Sequence, residues 1–319
     1  MLVRFWGTRG SIPVVPTSAA IQRKLVAALV KAAGRALVTP DEARAFVEQE
    51  LDFAVSHTFG GNSSCVEIET GTAEYVLCDM GSGARPFAVE ALARHRPGRP
   101  QTYHVLISHP HWDHIMGFPF FLPAYIPGNV VRIYGCHASL EEAFRRQHGP
   151  PSFPVEFGQL GATIEFVPLV AGQPNHVAGL TVTPKLQRHG GDSYGYRIER
   201  AGKALVYSTD SEHKVDDPEA VDTFAAFFRE ADLVIFDAQY SLLDAMSVKE
   251  DWGHSSNIVG VELCQMARAK HLCLYHHEPM LDDEQLAALL GETRRFEEIT
   301  RRDHRVEVSV AYDGMELAL

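Results

Sequence analysis

Ser108-His109-Pro110-His111-Trp112-Asp113-His114 carries three imidazoles and a carboxylate within one short stretch. It directly follows His104-Val105-Leu106-Ile107, an apolar run of strand length that predicts a strand buried on both faces. On an extended segment alternate side chains share a face, so His109 and His111 point the same way and can reach one cation. Asp113 and His114 follow where the chain turns and can reach a second. Imidazole and carboxylate together suit Zn, and also admit Mn or Fe. A packed core has no use for this grouping, because each buried imidazole must find its own hydrogen-bond partner.

Outward from this stretch, Leu2 to Trp6 reads as a strand running into the turn Gly7-Thr8-Arg9-Gly10. Residues 15–58 differ in character. Ile21, Leu25, Ala28 and Leu29 have helical spacing, and Thr39-Pro40-Asp41-Glu42 predicts a second helix start with Thr39 as cap. The segment is expected to be a helical hairpin inserted between two strands. Further strands are predicted at 65–69, 75–78, 130–134, 163–167, 180–186, 194–199, 204–207, 233–236 and 271–275, and helices at 88–93, 139–147, 219–230, 257–269 and 283–298. Strands fill both halves of the chain without internal repeat or linker. Two sheets with helices outside, in one domain over residues 1–319, is the economical architecture.

The bulk properties bound the function. The chain has 319 residues, 45% of them hydrophobic, enough for a sizeable core. Its net charge of -12 excludes a broad basic footprint for nucleic acid. Five cysteines, odd in number and without a Cys-x-x-Cys pair, suit free thiols in a reducing compartment. The N-terminus lacks the zones of a signal peptide, and no apolar run approaches membrane-spanning length. A cytoplasmic protein without membrane contact is expected.

The His-x-His-x-Asp-His pattern after an apolar strand resembles the signature of the metallo-β-lactamase superfamily. Gly7-Thr8-Arg9-Gly10-Ser11-Ile12-Pro13, Gly60-Gly61-Asn62-Ser63-Ser64-Cys65 and Asp79-Met80-Gly81-Ser82-Gly83 resemble the opening of its phosphodiesterase branch, which includes ribonuclease Z and the cyclic-phosphate hydrolases. The similarity covers residues 1–14 and about 59–280, leaving 15–58 without counterpart. It implies an α/β fold, a four-layer αββα sandwich with two divalent metal ions at one edge between the sheets. It also implies three later ligands. His189, ahead of Tyr194-Gly195-Tyr196, closes the first metal site. Asp210, after Val206-Tyr207-Ser208, bridges both metals. His276 completes the second, with His277 as the alternative. Singly, Asp210 reads equally as a turn residue and the histidines as surface or core residues; their order behind the main motif favours ligands.

Asp237-Ala238-Gln239-Tyr240 and Trp252-Gly253-His254-Ser255-Ser256 resemble the acidic and His-Ser-Thr segments of ribonuclease Z, with Ser256 in place of threonine. A carboxylate that fixes an imidazole tautomer makes a proton donor, so Asp237 is expected to orient His254 as general acid. Helix capping explains Ser256 or Asn257 but not His254. Arg9 is expected at the site rim, holding a phosphate oxygen or a rim salt bridge. Asp79 is expected to back a metal-binding histidine. Asp113 and Asp210 are expected to hold the metals and to steer the attacking proton. The expected reaction is hydrolysis of a small or cyclic phosphodiester. Precursor tRNA is the alternative, disfavoured by the missing basic arm. Lactone, thioester or β-lactam hydrolysis on the same metals is a further alternative, as is a metal sensor without turnover. The mixed charges of the insertion suit a solvated face or a homodimer contact.

Overall fold

The computed structural model describes residues 1–94, 98–213, 217–240 and 253–319. Trp252 of the motif quoted above therefore lies outside the described residues. Two seven-stranded mixed sheets face each other. The first has the order β14-β1-β2-β3-β4-β5-β6, formed by β1 (Leu2–Gly7), β2 (Cys65–Glu69), β3 (Tyr75–Cys78), β4 (Thr102–Leu106), β5 (Val130–Gly135), β6 (Thr163–Pro168) and β14 (Glu316–Ala318). The second has the order β13-β12-β11-β10-β9-β8-β7, formed by β7 (Asn175–Val177), β8 (Leu180–Gln187), β9 (Ser193–Arg200), β10 (Lys203–Ser208), β11 (Leu233–Asp237), β12 (His271–Tyr275) and β13 (Glu307–Val310). Strands β3 to β6 run parallel, as do β10 to β13.

Three apolar clusters define four layers. Val3, Phe5, Ile68, Tyr196, Leu205 and Tyr275 fill the space between the sheets. Phe87, Ala88, Tyr103, Phe118 and Phe144 cover the first sheet's outer face beneath α4 (Ala84–Arg94) and α6 (Leu140–Arg146). Phe224, Phe228, Val234, Val261 and Leu286 cover the second sheet's outer face beneath α7 (Pro218–Phe228), α8 (Asn257–Ala267) and α9 (Asp283–Thr300). The αββα sandwich expected from the motif order is the fold. His104 to Leu106, predicted to be buried on both faces, lies in β4 and is buried.

The insertion lies between the antiparallel neighbours β1 and β2. It contains α1 (Ser18–Lys31), α2 (Pro40–Glu50) and the short α3 (Phe53–Ser56). Thr39 caps α2 in a capping box with Glu42, satisfying the free N–H groups that the sequence marked. The expected two-helix hairpin is corrected in detail: α3 is a third helix, and α1 rests chiefly on α3, which in turn rests on α9. The five cysteines are free. Among the described residues no helix is long and apolar enough to cross a membrane.

Candidate metal centre

Functional side chains collect at the C-terminal ends of strands, where a parallel sheet leaves its loops at one edge. Asp79 follows β3; His109, His111, Asp113 and His114 follow β4; His189 follows β8. Asp210 follows β10, Asp237 ends β11, and His276 follows β12. The short helix α5 (Trp112–Ile115) turns Asp113 and His114 inward, and both are buried. Asp79, Asp210 and His276 have φ of 61°, 49° and 59°. A left-handed backbone is uncommon outside glycine, and for a histidine it must be imposed by its surroundings. Gly10 packs so closely on His276 that a Cβ there would lie 2.6 Å from His276 Nδ1.

The potential ligands form two sets besides the two that include His254, which groups with His189 and Asp210 and with Asp237 and His276. His109, His111 and His189 make one, and Asp113, His114, Asp210 and His276 the other; within each set the donor atoms lie within 4.8 Å of one another. Asp210 stands between them. Its Oδ2 is 3.6 Å from His109 Nε2 and from His189 Nε2, and its Oδ1 is 3.2 Å from His114 Nε2 and from His276 Nε2. Asp113 Oδ2 is 3.2 Å from the same two Nε2 atoms. His189 Nε2 and His111 Nδ1 approach to 3.1 Å.

These residues fit divalent cations on their own terms. His109 is wholly buried and its Nε2 has no hydrogen-bond partner among the described residues. Asp113 and Asp210 are 7% and 2% exposed, and burial alone would push both carboxyls up. Instead the positive charge available from His114 and His276 holds both well below the usual carboxylate range. Two carboxylates this buried and this close require compensating positive charge, which cations supply best.

Outside these sets, other groups fix the ligands' orientation. Asp79 is fully buried; it accepts from Ser108 N (2.8 Å), Ser108 Oγ (2.8 Å) and Tyr207 Oη (2.7 Å), and meets His114 Nδ1 at 2.7 Å. That last bond leaves His114 Nε2 free to face the cluster. His189 Nδ1 is likewise held by Gly253 O at 2.9 Å. Asp113 Oδ2 accepts from Ser11 N at 2.9 Å. Ser108, Tyr207 and Ser11 were not singled out from sequence. Tyr207, a polar-tipped aromatic inside an apolar strand, carried a signal; the Ser11 main chain carried none.

His254 lies beside the ligands. Its Nδ1 is 2.8 Å from Asp237 Oδ2, and its ring stacks on His276 with centroids 5.2 Å apart. Tyr240 meets the His254 ring edge-on. Burial would lower the imidazole, but the Asp237 carboxylate, its hydrogen bond, and Asp210 and Asp113 raise it to about 9. Ser256 does cap α8, accepting from Val259 N, so the capping role and the His254 role coexist.

Two sequence readings resolve here. His276 joins the second set, whereas His277 Nε2 donates to Ala311 O at 2.8 Å, away from it, and burial with Arg9 nearby pushes its pKa down to about 3. Arg9 departs from its expectation. It is 4% exposed, and its guanidinium donates to the carbonyls of Gly60 (3.0 Å), Glu278 (3.2 Å) and Leu281 (2.8 Å). It ties three loops together instead of lining the rim, because main-chain carbonyls in the 278–281 turn capture its donors.

The αββα sandwich with a histidine–aspartate cluster at its strand ends is the fold and the donor set of a metal-binding site. The chain belongs to the β-lactamase superfamily: the family model described as "Beta-lactamase superfamily domain" matches residues 74–277. Among curated proteins, the uncharacterized protein ML1173 of Mycobacterium leprae is 30% identical over 139 residues, 43% of this chain and 47% of that one. Ribonuclease Z of Staphylococcus epidermidis is 25% identical over 130 residues, 39% of this chain and 38% of that one. The matches thus span less than half the length of these relatives. Among solved structures, the metallo-β-lactamase fold protein YhfI from Bacillus subtilis aligns with TM-score 0.63 and 18% identity, covering 99% of this chain and 98% of that one. Zn(2+)-bound PqqB from Methylobacterium extorquens aligns with TM-score 0.66 and 15% identity, covering 100% of both chains.

Proposed function

We propose that the protein hydrolyses a small or cyclic phosphodiester at two divalent cations, zinc foremost. His109, His111, His189 and Asp210 would hold one cation, and Asp113, His114, Asp210 and His276 the other. Bound there, the pair would lower the pKa of water and offset charge on the phosphoryl oxygens. The remaining chemistry belongs to the chain. Asp237 fixes the His254 ring through Nδ1, so Nε2 carries the mobile proton. His254 gives that proton to the departing alkoxide oxygen as the P–O bond breaks, then regains one from water. Asp113, held by the Ser11 N–H, keeps its carboxylate aimed at the cluster.

The observation that carries this reading is the Asp237–His254 pair set against both ligand groups. A metal cluster alone serves ester, lactam and phosphodiester substrates alike, whereas a protonated imidazole beside it matches a leaving alkoxide that needs a proton. The likeness to ribonuclease Z, which extends over part of the chain, supports a phosphodiester. The net charge of -12 favours a small substrate over tRNA. His254→Ala, assayed on an alkyl phosphodiester and on a lactone, tests it. Phosphodiester turnover should fall while lactone turnover is absent in both proteins. Lactone turnover that exceeds phosphodiester turnover and survives the substitution would overturn the assignment.

A further inference from the structure

Four polar side chains lie buried behind Asp210. Gln187 ends β8, Ser193 opens β9, Ser208 ends β10 and Thr209 follows it. Gln187 is 2% exposed and the other three are wholly buried. Gln187 is at their centre. Its Nε2 donates to Thr209 O at 2.7 Å and to Ser193 Oγ at 3.1 Å, and its Oε1 accepts from Ser208 Oγ at 2.6 Å. A carbonyl only accepts, so Thr209 O fixes which end of the amide is which. The bonds then run on to the bridging carboxylate residue. Ser193 Oγ donates its own hydrogen to Asp210 O at 2.6 Å, and Thr209 Oγ1 donates to Asp210 Oδ1 at 2.7 Å. Buried polar groups are costly unless paired, and both amide hydrogens of Gln187 are used.

We propose that Gln187 is a positioning residue for the metal centre: it locks the His189 turn to the Asp210 backbone and so fixes the gap that the first cation fills, in the two-cation reading on which this rests. His189 and Asp210 follow β8 and β10, which are not neighbours, because β9 lies between them. Strand pairing therefore leaves their approach unset, and the Gln187 amide spans it. At one end, Gln187 and Ser193 face each other in the β8–β9 register and close the turn that carries His189. At the other, the amide holds Thr209 O beside Asp210. Its path over β9 passes Gly195, where a Cβ would lie 2.4 Å from Gln187 Oε1, so only glycine leaves the amide room. The Asp210 φ of 49° is a backbone that residues other than glycine seldom adopt. The bonds from Ser193 and Thr209 impose it. The Thr209 bond also stops the carboxylate from turning. Its Oδ1 stays towards His114 and His276, and its Oδ2 towards His109 and His189.

Zinc competition against a chromophoric chelator and the visible spectrum of the cobalt protein test this, with urea unfolding in excess chelator to check the fold. Gln187→Leu should hold the first cation about 10–100-fold more weakly and keep the second, as expected when a group that orients a metal ligand is lost. Gly195→Ala, which displaces the amide without removing it, should weaken the first cation in the same direction. Thr209→Val should alter the cobalt spectrum, and Thr209→Ser, which keeps the hydroxyl, should restore it. Should Gln187→Leu fail to fold, Gly195→Ala and Thr209→Val decide. Wild-type affinity for both cations in folded Gln187→Leu or Gly195→Ala, or a wild-type cobalt spectrum in Thr209→Val, overturns the role given to Gln187 and leaves the two-cation reading standing. A wild type that binds fewer than two cations overturns that reading and the Gln187 role with it.

Discussion

Asp79 offers the sharpest perturbation, because its carboxylate holds the cluster from outside without joining it. It is fully buried and serves four groups: Ser108 N, Ser108 Oγ, Tyr207 Oη and His114 Nδ1. Asp79→Ala strands at least the Ser108 N–H and the Tyr207 hydroxyl. Each buried unsatisfied donor costs about 1–3 kcal/mol, so the loss is roughly 2–6 kcal/mol. Alanine also tolerates the φ of 61° poorly, which adds about 1–2 kcal/mol. Against a typical domain stability of ~5–15 kcal/mol, that variant loses much of its margin. Asp79→Asn is the cleaner probe. Asparagine accepts a left-handed backbone, and its oxygen still receives Ser108 N. Its NH₂ faces His114 Nδ1, however, and forces the proton onto Nε2, the atom aimed at the cluster. Loss of such an orienting carboxylate lowers metal affinity about 10–100-fold, or about 1.4–2.7 kcal/mol. Zinc competition against a chromophoric chelator reads the affinity, and urea unfolding in excess chelator reads the fold. Wild-type zinc affinity in a folded Asn variant would refute the role given to Asp79.

Three further outcomes follow from the same geometry. His254→Ala should slow an alkyl phosphodiester about 10²–10⁴-fold in kcat yet leave a p-nitrophenyl diester, whose leaving group needs no proton, within about tenfold; equal losses on both would remove His254 as the acid. Arg9→Met should lower the urea midpoint by an amount equivalent to about 4.5–9 kcal/mol, from three lost charge-assisted bonds at roughly 1.5–3 kcal/mol each, and leave KM for the diester unchanged; a raised KM with an unchanged midpoint would restore the phosphate-binding role. The His213 ring has both nitrogens buried without hydrogen-bond partners among the described residues, and burial, with Lys185 nearby, lowers its pKa from 6.5 to about 3. The unfolded chain therefore binds a proton that the native state does not, so its stability contribution is full above about 6.5 and declines as pH falls towards 3, by at most about 1.4 kcal/mol per unit. His213→Phe, compared with wild type by urea unfolding of metal-free protein between pH 7.5 and 5, should flatten that decline; parallel slopes would contradict it.

The clustering of the site's side chains was legible where convergence follows from local pattern. A buried strand followed by alternating histidines announces its own geometry, because period-2 alternation decides which side chains converge. Asp210 and His276 were legible only through the family resemblance, which asks for an Asp and a His after later strands; the structure brings them to the same edge because parallel strands deliver their C-terminal residues there. What sequence could not choose was set by distant packing. His276 and His277 are adjacent, and only the Ala311 carbonyl, 34 residues on, shows which one turns away. Arg9 looked like an anion ligand because its chemistry permits one, but the carbonyls of residues 278 and 281 lie far along the chain. The short strands β7, β13 and β14 carry three or four residues each, too few for alternation to register, and exist through pairing with long-range neighbours. The insertion's helices were visible through Thr39 and the aliphatic spacing of α1, yet spacing alone did not tell that the aliphatic face looks outward.

The central claim is that Asp210 joins two cation subsites, one oxygen to each. Metal content by inductively coupled plasma mass spectrometry, measured on the wild type and on Asp210→Ala after equilibration with zinc, tests it most directly. The account predicts two zinc equivalents per chain in the wild type and one or none in the variant, with the fold retained by circular dichroism. No metal in the wild type, or two equivalents in both proteins, would contradict it.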